Sequence, residues 1–357
     1  MSLDIAHRRL YRHHIAGGGL RSAADVVALM GAVQAQDYPG SLWAVGLRMR
    51  AAVERDIEQA LADRTIIRTW PMRGTLHFVA AADIRWMLEL LTPRIVAANA
   101  RRLRRDFGLD EAVFARCKKV LTAALQDGKQ LSRNATYRVL DAARISPAEG
   151  RGLHILWRLA QDGVICFGAR DGNQQTFALL DEWAPPAGTM KRDEALSELT
   201  RRYFSGHGPA TLQDFVWWSG LATADARAGI EMVKGELKEE KIGGQSYWFS
   251  SSIRAPKPKP PAANLLPAYD EYTVGYRDRS AVFNPVYAKN RNHGYAIFNP
   301  TIVVDGQIVG TWKRALDGDS VVVIPSYFTR LTRDQIRAVG VTAKRYGTFL
   351  NRQAILK

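Results

Sequence analysis

Three times along this chain the same signals recur in the same order: helical stretches with one apolar face, then two apolar runs separated by a turn. A short helix and a two-stranded ribbon cannot each bury an apolar face alone, so the order predicts repeated helix–helix–hairpin modules, the winged-helix arrangement. The first module holds a basic helix around His7–His14, a helix from 23 to 36, a helix from Val53 to Asp63 and a hairpin from Thr65 to Val79. Pro71 and Gly74 mark the hairpin's turn region. In the second, Glu111–Leu125 and a helix N-capped by Ser132 precede a helix expected from Ser146-Pro147-Ala148-Glu149 to about Gln161. Asp171-Gly172 then turns between two apolar strands. In the third, Thr211 caps a helix with Asp214 three residues on, a helix follows from Thr223 to about Leu237, and Gly243-Gly244 turns a hairpin.

Beyond residue 254 the character changes. Ala255-Pro-Lys-Pro-Lys-Pro-Pro-Ala262 reads as an extended basic linker. Asn264 to Pro325 reads as an antiparallel meander with a hairpin turn at Asp305-Gly306, and Thr332 with Gln335 caps a last helix to about Leu350. The expected fold class is α+β: three tandem winged-helix modules, then a small antiparallel β barrel and a C-terminal helix. The boundaries are 1–108, 109–190, 191–254 and 264–357.

Composition narrows the partners. Fifty basic against 35 acidic residues give a net charge of +15 over 357 residues, which favours a polyanion, nucleic acid before membrane. Two cysteines, Cys117 and Cys166, are too few for a four-cysteine iron–sulfur cluster or zinc finger and suit reduced thiols in the cytoplasm. The N-terminus lacks the apolar run of a signal peptide, and no stretch approaches the roughly 20 apolar residues of a membrane span. HExxH, phosphate-binding and dinucleotide-binding motifs are absent, and the seven histidines suggest no metal-ligand set beyond the pair His13-His14. No metal or cofactor is expected.

The most informative stretch is 31–50. Ser22 is an expected N-cap with Asp25 at the third helical position, and Val26, Val27, Leu29, Met30 and Val33 give an apolar helical face. Pro39 disfavours helix at Tyr38, so the helix should end near Gln36 or Asp37. Residues two apart on a helix point about 200° apart, whereas in an extended segment they share a face. Gln34 and Gln36 therefore act together only where the helix has unwound.

Gln34-Ala35-Gln36, followed by Pro39-Gly40 and Trp43, resembles the Gln-x-Gln motif of the AlkZ/YcaQ-like DNA glycosylases. Further stretches resemble that family in order: Arg68-Thr69-Trp70 with Arg73-Gly74-Thr75-Leu76-His77, Gly208-Pro209-Ala210-Thr211, Trp218-Ser219-Gly220-Leu221, Leu266-Pro267-Ala268-Tyr269-Asp270, Gly275-Tyr276-Arg277-Asp278-Arg279, and Val309-Gly310-Thr311-Trp312-Lys313-Arg314. The resemblance implies excision of alkylated bases, in some members from interstrand crosslinks. It does not specify the lesion.

An amide has no useful acid or base function near neutrality, but it donates and accepts hydrogen bonds. Hydrolysis of an ordinary N-glycosidic bond calls for protonation of the base or a strong nucleophile. An N7- or N3-alkylated purine is already cationic and leaves without prior protonation. The remaining tasks are to hold a water near C1′ and to stabilise an oxocarbenium-like sugar. Gln34 and Gln36 suit the first; Asp37, or the negative end of the preceding helix, suits the second. No lysine stands out as a Schiff-base nucleophile, so the expectation is a monofunctional glycosylase acting as a monomer on double-stranded DNA that carries alkylated bases.

The other candidate residues keep two readings each. Arg68, Arg73 and His77 flank the expected wing and suit DNA contact, while Trp70 suits core and His77 a backbone hydrogen bond. Tyr269, Asp270, Glu271 and Tyr272 form an aromatic–acidic set. Its acids suit orienting the water or the glutamines, and its rings suit stacking on an extruded base; otherwise the tyrosines are barrel core and Asp270 pairs with Arg277 or Arg279. Arg277, Arg279, Lys313 and Arg314 suit phosphate contact or a solvated turn. The Arg101–Arg105 cluster is open in the same way. Two rival functions remain: a non-catalytic winged-helix regulator, and a protein that sequesters a genotoxic metabolite.

Overall fold

The computed structural model describes residues 2–184, 190–251, 261–288 and 298–357. The Pro-rich linker falls almost wholly outside these residues. The fold is mixed α/β and divides into two compact units, Met1–Glu58 with Leu196–Lys357, and Gln59–Ala195. Among the described residues no helix is long and apolar enough to cross a membrane.

In the first unit the C-terminal half builds a five-stranded sheet: Gln353–Leu356, Ser320–Tyr327, Gln307–Asp317, Thr301–Val304 and Ala263–Leu266, in that spatial order. The expected meander is present, with Asp305 and Gly306 at positive φ in its hairpin turn. The expected barrel is seen as a curled, open half-barrel. Its last strand pairs parallel to Ser320–Tyr327, because the chain returns through the helix Arg333–Phe349 instead of a tight turn. That helix starts where the Thr332–Gln335 capping box places it.

A tryptophan-centred core ties this sheet to the N-terminal helices. Trp43, on the helix Tyr38–Leu47, packs 5.1 Å from Tyr346 and 5.0 Å from Phe349 between ring centroids. Its indole N–H donates to the Leu265 carbonyl at 2.7 Å, and Trp312 donates likewise to Leu266 at 2.8 Å. Gly46 permits this approach: a Cβ there would lie 2.4 Å from the Phe349 ring. The segment after Gln36 is thus held to the sheet by both packing and hydrogen bonds.

The second unit is built on an apolar cluster. Leu121, Leu125, Leu140, Ile155, Leu156 and Ile165 are wholly buried between the helices Glu111–Leu125, Arg133–Ala142 and Arg151–Gln161 and the strands Ile165–Phe167 and Thr176–Leu179. Ser132 caps its helix by accepting from the Ala135 N–H. The helix expected from Ser146-Pro147 begins later, at Arg151, because Glu149 and Gly150 both take positive φ and break the helical path. The first hairpin runs Ile66–Met72 and Thr75–Ala80, turning on Arg73 and Gly74. Pro71 lies within the strand at a register shift, where a missing N–H is tolerated.

Candidate active site

Ser22 caps the helix Ala23–Met30 by accepting from the Asp25 N–H at 3.1 Å. That helix ends at Met30, well before Gln36. Gly31 adopts φ 73°, and a Cβ there would lie 3.2 Å from the Trp218 ring, so both conformation and space require glycine. Val33 and Gln34 are then extended, and Gln36 lies in a bend. The apolar pattern that suggests helix through Val33 instead reports burial on both sides of an extended chain. Pro39 and Gly40 form the first turn of the helix Tyr38–Leu47, with Asp37 as N-cap residue. Gly40 gives the Asp37 carboxylate room, since a Cβ would lie 2.5 Å from Oδ2. The glutamines are therefore free of the helical separation: Gln34 is nearly buried and Gln36 is exposed.

Beneath this segment lies a buried polar network. Glu271, with no exposed surface, accepts the Gln34 backbone N–H at 2.9 Å on Oε1. On Oε2 it accepts the Trp218 indole N–H at 3.0 Å and His207 Nε2 at 3.3 Å. An acceptor-only carboxylate suits that set of donors. The neighbouring Asp270 accepts both terminal nitrogens of Arg48, at 2.8 and 2.9 Å, and also takes the Tyr272 N–H at the start of the helical turn Glu271–Val274. Arg48 further donates to the Ala44 carbonyl and to His13 Nδ1. That fixes the His13 proton on Nε2, which donates to the Tyr276 hydroxyl at 2.8 Å; Tyr276 in turn donates to the His207 carbonyl at 2.7 Å. Arg9 stacks 3.6 Å over the Tyr276 ring and lies 3.6 Å from Asp214, whose carboxylate also caps Thr211 and takes the N–H groups of Arg277 and Asp278.

Burial pushes His13 well below the ordinary imidazole pKa, with the nearby His207, Arg48 and Arg9 adding in the same direction. Burial also lowers His207, against the opposing pull of Glu271. Both rings are neutral at pH 7. The network thus sets two guanidiniums, Arg9 and Arg48, against three buried carboxylates, Asp214, Asp270 and Glu271. Of these carboxylates, Glu271 has neutral donors and lies nearest to the glutamine segment.

The remaining candidates scatter. Asp270 is 1% exposed and spent on Arg48, so it neither pairs with Arg277 or Arg279 nor faces a water at a cleft. Tyr272 is wholly buried, its hydroxyl donating to backbone carbonyls of Ala6 and Gly306, which leaves it no surface to offer DNA. Tyr269 is half-buried at φ 58°, 6.2 Å from Phe298. Arg277 is exposed and bonds Gln213, while Arg279 is held by the Thr273 carbonyl. Lys313 and Arg314 are exposed on the sheet, Arg314 meeting the Tyr346 hydroxyl. In the second unit, His77 is buried and donates from Nδ1 to the Thr75 carbonyl, with Nε2 facing the Arg73 guanidinium at 3.3 Å, so it braces its own turn. Arg68 is buried 4.8 Å over the Phe167 ring, and Trp70 is core. Among the described residues no group of three or more His, Cys, Asp or Glu is placed to hold a metal ion.

Arg48 and His207 carry no motif that distinguishes them from ordinary core residues, Trp218 stands out only within the family-resembling stretch Trp218-Ser219-Gly220-Leu221, and His13 only beside His14. Their partners lie up to 263 residues away, as for His13 and Tyr276. The adjacent acids Asp270-Glu271 were the legible signal of the carboxylates in this network.

The family model described as DNA glycosylase AlkZ-like matches residues 27–349. A curated relative from Streptomyces sahachiroi, the interstrand DNA cross-link repair glycosylase, is 28% identical over 337 residues, covering 89% of this chain and 88% of the relative. The solved structure of the Streptomyces sahachiroi DNA glycosylase AlkZ superposes with a TM-score of 0.78 at 23% identity, covering 99% of this chain and 98% of that one.

Proposed function

From the premise that this chain belongs to the AlkZ-like DNA glycosylase family and is a DNA glycosylase, we propose that it hydrolyses the N-glycosidic bond of cationic alkylated purines through a water held by Gln34 and Gln36. The observation that carries this reading is the non-helical Gln34–Gln36 segment, extended at Gln34 and bent at Gln36, its backbone anchored at Gln34 by the buried Glu271. The C1′–N9 bond breaks toward the base, and its electron pair neutralises the charge on an N7-alkylguanine. The water oxygen bonds C1′ and gives up its proton to solvent or to Asp37. Positioning and electrostatics suffice because the leaving group needs no acid. N3-alkyladenine follows the same logic, and unhooking a crosslink at N7 is the same bond cleavage on a tethered base. The product is an abasic site.

The helix–helix–hairpin order supports winged-helix modules over 109–190 and 191–254. In the second unit the helices Arg133–Ala142 and Arg151–Gln161 precede the strands of 165–179, and in the first Leu212–Ser219 and Thr223–Met232 precede the hairpin 237–250. We keep 1–108 as the module bearing the glutamines and 264–357 as the C-terminal sheet domain. Duplex DNA is the partner, bound by a monomer, with Arg73, Tyr269, Arg277, Arg279, Lys313 and Arg314 as candidate contacts. The test is release of N7-methylguanine from methylated duplex DNA by Gln34→Ala and Gln36→Ala. Loss of release in either variant with DNA binding kept supports the reading; full release by both defeats it.

A further inference from the structure

The second unit contains a cleft of about 540 Å³ that the glutamine chemistry does not use. Its size falls within the usual range for small-ligand sites. The floor is apolar: the half-exposed Leu153 lies with Trp70, Phe167 and Phe177, which are each at most 8% exposed. Trp70 and Phe167 lie 5.0 Å apart between centroids and Phe167 and Phe177 4.8 Å, all rooted in the apolar cluster of that unit. The walls are cationic. The Arg68 guanidinium stands 4.8 Å over the Phe167 ring, and Arg133 lies exposed as the first residue of the helix Arg133–Ala142, where the helix dipole is also positive. The rim carries carboxamides from Asn134 on that helix and from Asn173, Gln174 and Gln175 on the connection between Phe167 and Thr176. No carboxylate lines the cleft.

Each component has a distinct use. Aromatic rings stack on any base. Carboxamides pair a donor and an acceptor with a base edge, most completely with N6 and N7 of adenine. Guanidiniums take phosphate. A cationic ligand meets two guanidiniums and no carboxylate, and a purely apolar one would waste the amides. Paired bases in a stacked duplex hide their faces, so the occupant must be displaced from the stack. We infer that this cleft binds one unstacked nucleotide of the DNA, a base other than the one excised, with its ring against Leu153 and the exposed edges of Trp70 and Phe167 and its phosphate toward Arg133. The inference rests on DNA being the substrate but not on the glutamine mechanism.

The test uses the full chain and two duplexes of one sequence, one fully paired and one with a single bulged adenine. The wild type should bind the bulged duplex about tenfold more tightly, the scale of one base stacked on aromatic side chains. An Asn134→Ala, Gln175→Ala double variant should lose that preference while still releasing N7-methylguanine from paired DNA. With 5-iodouracil at the bulge, photocrosslinking followed by peptide mapping should place the adduct on Trp70 or Phe167. Equal binding of the two duplexes by the wild type, retention of the preference by the double variant, or adducts confined to other segments would each overturn the inference. Failure of the wild type to release any base would instead point to the reading of the glutamines.

Discussion

The two units solve the problem of an interior in opposite ways. Gln59–Ala195 is centred on an apolar cluster, with its carboxamides and an exposed arginine at a cleft beside that cluster. The other unit places charges at its centre: Arg9, Arg48, Asp214, Asp270 and Glu271 are each at most 1% exposed. An apolar interior is tolerant, because neighbouring side chains relax around a small change. A polar interior has strict geometry, since every buried donor or acceptor left alone costs free energy. That strictness is what a catalytic backbone segment needs. Glu271 specifies where the Gln34 N–H must be, and an apolar residue at 271 specifies nothing comparable.

The sharpest way to break this contrast is to remove one member of a buried ion pair. Asp270→Ala strands the Arg48 guanidinium without solvent, and we expect about 3–5 kcal/mol of lost stability. The matched change in the other unit, Ile155→Val, removes one methylene-sized group from an apolar site and should cost about 0.5–1.5 kcal/mol. Urea unfolding followed by hydrogen exchange assigns each loss to its unit. A loss at Asp270 no larger than that at Ile155 would mean the charged centre is incidental to stability.

Next in size is an effect on activity. Glu271→Gln keeps the shape but puts an amide N–H among N–H donors, so the Gln34 backbone must shift. A displacement on the order of 1 Å at a reacting group costs about 10²-fold in rate. We therefore expect single-turnover release of N7-methylguanine to fall about 10²-fold with the affinity for DNA little changed. A parallel loss of affinity and rate would show that Glu271 only supports the fold.

How much of this contrast could be read from residues alone depends on how local its causes are. Ser22, Ser132, the Thr211–Asp214 pair and the Thr332–Gln335 pair are legible because a cap is satisfied within three residues. The hairpin turn at Gly243-Gly244 is legible for the same reason. The end of the helix at Met30 is harder. Gly31 signals it, but Val33 continues the apolar period and masks it, because an extended chain buried on both faces imitates a helix stripe. The Arg48–Asp270 pair spans 222 residues and the Gln34–Glu271 contact 237, and no local pattern encodes a partner at such a distance. The glutamine motif was visible through family resemblance; the acid holding it was visible only as one of two adjacent carboxylates.

Acid sharpens the comparison further. His13 and His207 are fully buried and held below the free imidazole value of about 6.5, with Arg9, Arg48, Glu271 and Tyr276 as the facing groups. Below that pH the unfolded chain takes up protons that the folded unit refuses, so stability falls as pH falls and is flat above it. Each histidine contributes at most about 1.4 kcal/mol per pH unit. His154 in the other unit is also lowered by burial, but it is only partly buried and should matter less. Hydrogen exchange between about pH 7 and pH 5, corrected for intrinsic rates, should show protection lost around 203–230 before it is lost around 111–160. Simultaneous loss would remove the distinction.

The smallest effect tests whether strictness spreads through the polar interior. Ser132→Ala should cost about 1 kcal/mol, the usual value of an N-cap, and end there, because the Ser132 hydroxyl caps its own helix and its backbone pairing is unchanged. Thr211→Ala removes a similar bond, but its capping partner Asp214 also faces Arg9 and takes the N–H groups of Arg277 and Asp278. The carboxylate keeps the Thr211 backbone N–H, but the Asp214 backbone N–H loses its acceptor, and a shift of that backbone changes the alignment of the carboxylate to the others. We expect Thr211→Ala to exceed Ser132→Ala and to be non-additive with Arg9→Met, since side chains in one network share their losses. A double-mutant cycle gives the coupling directly. Strict additivity would mean that the acids of the first unit act as separate caps, and that Glu271 holds Gln34 without help from Asp214.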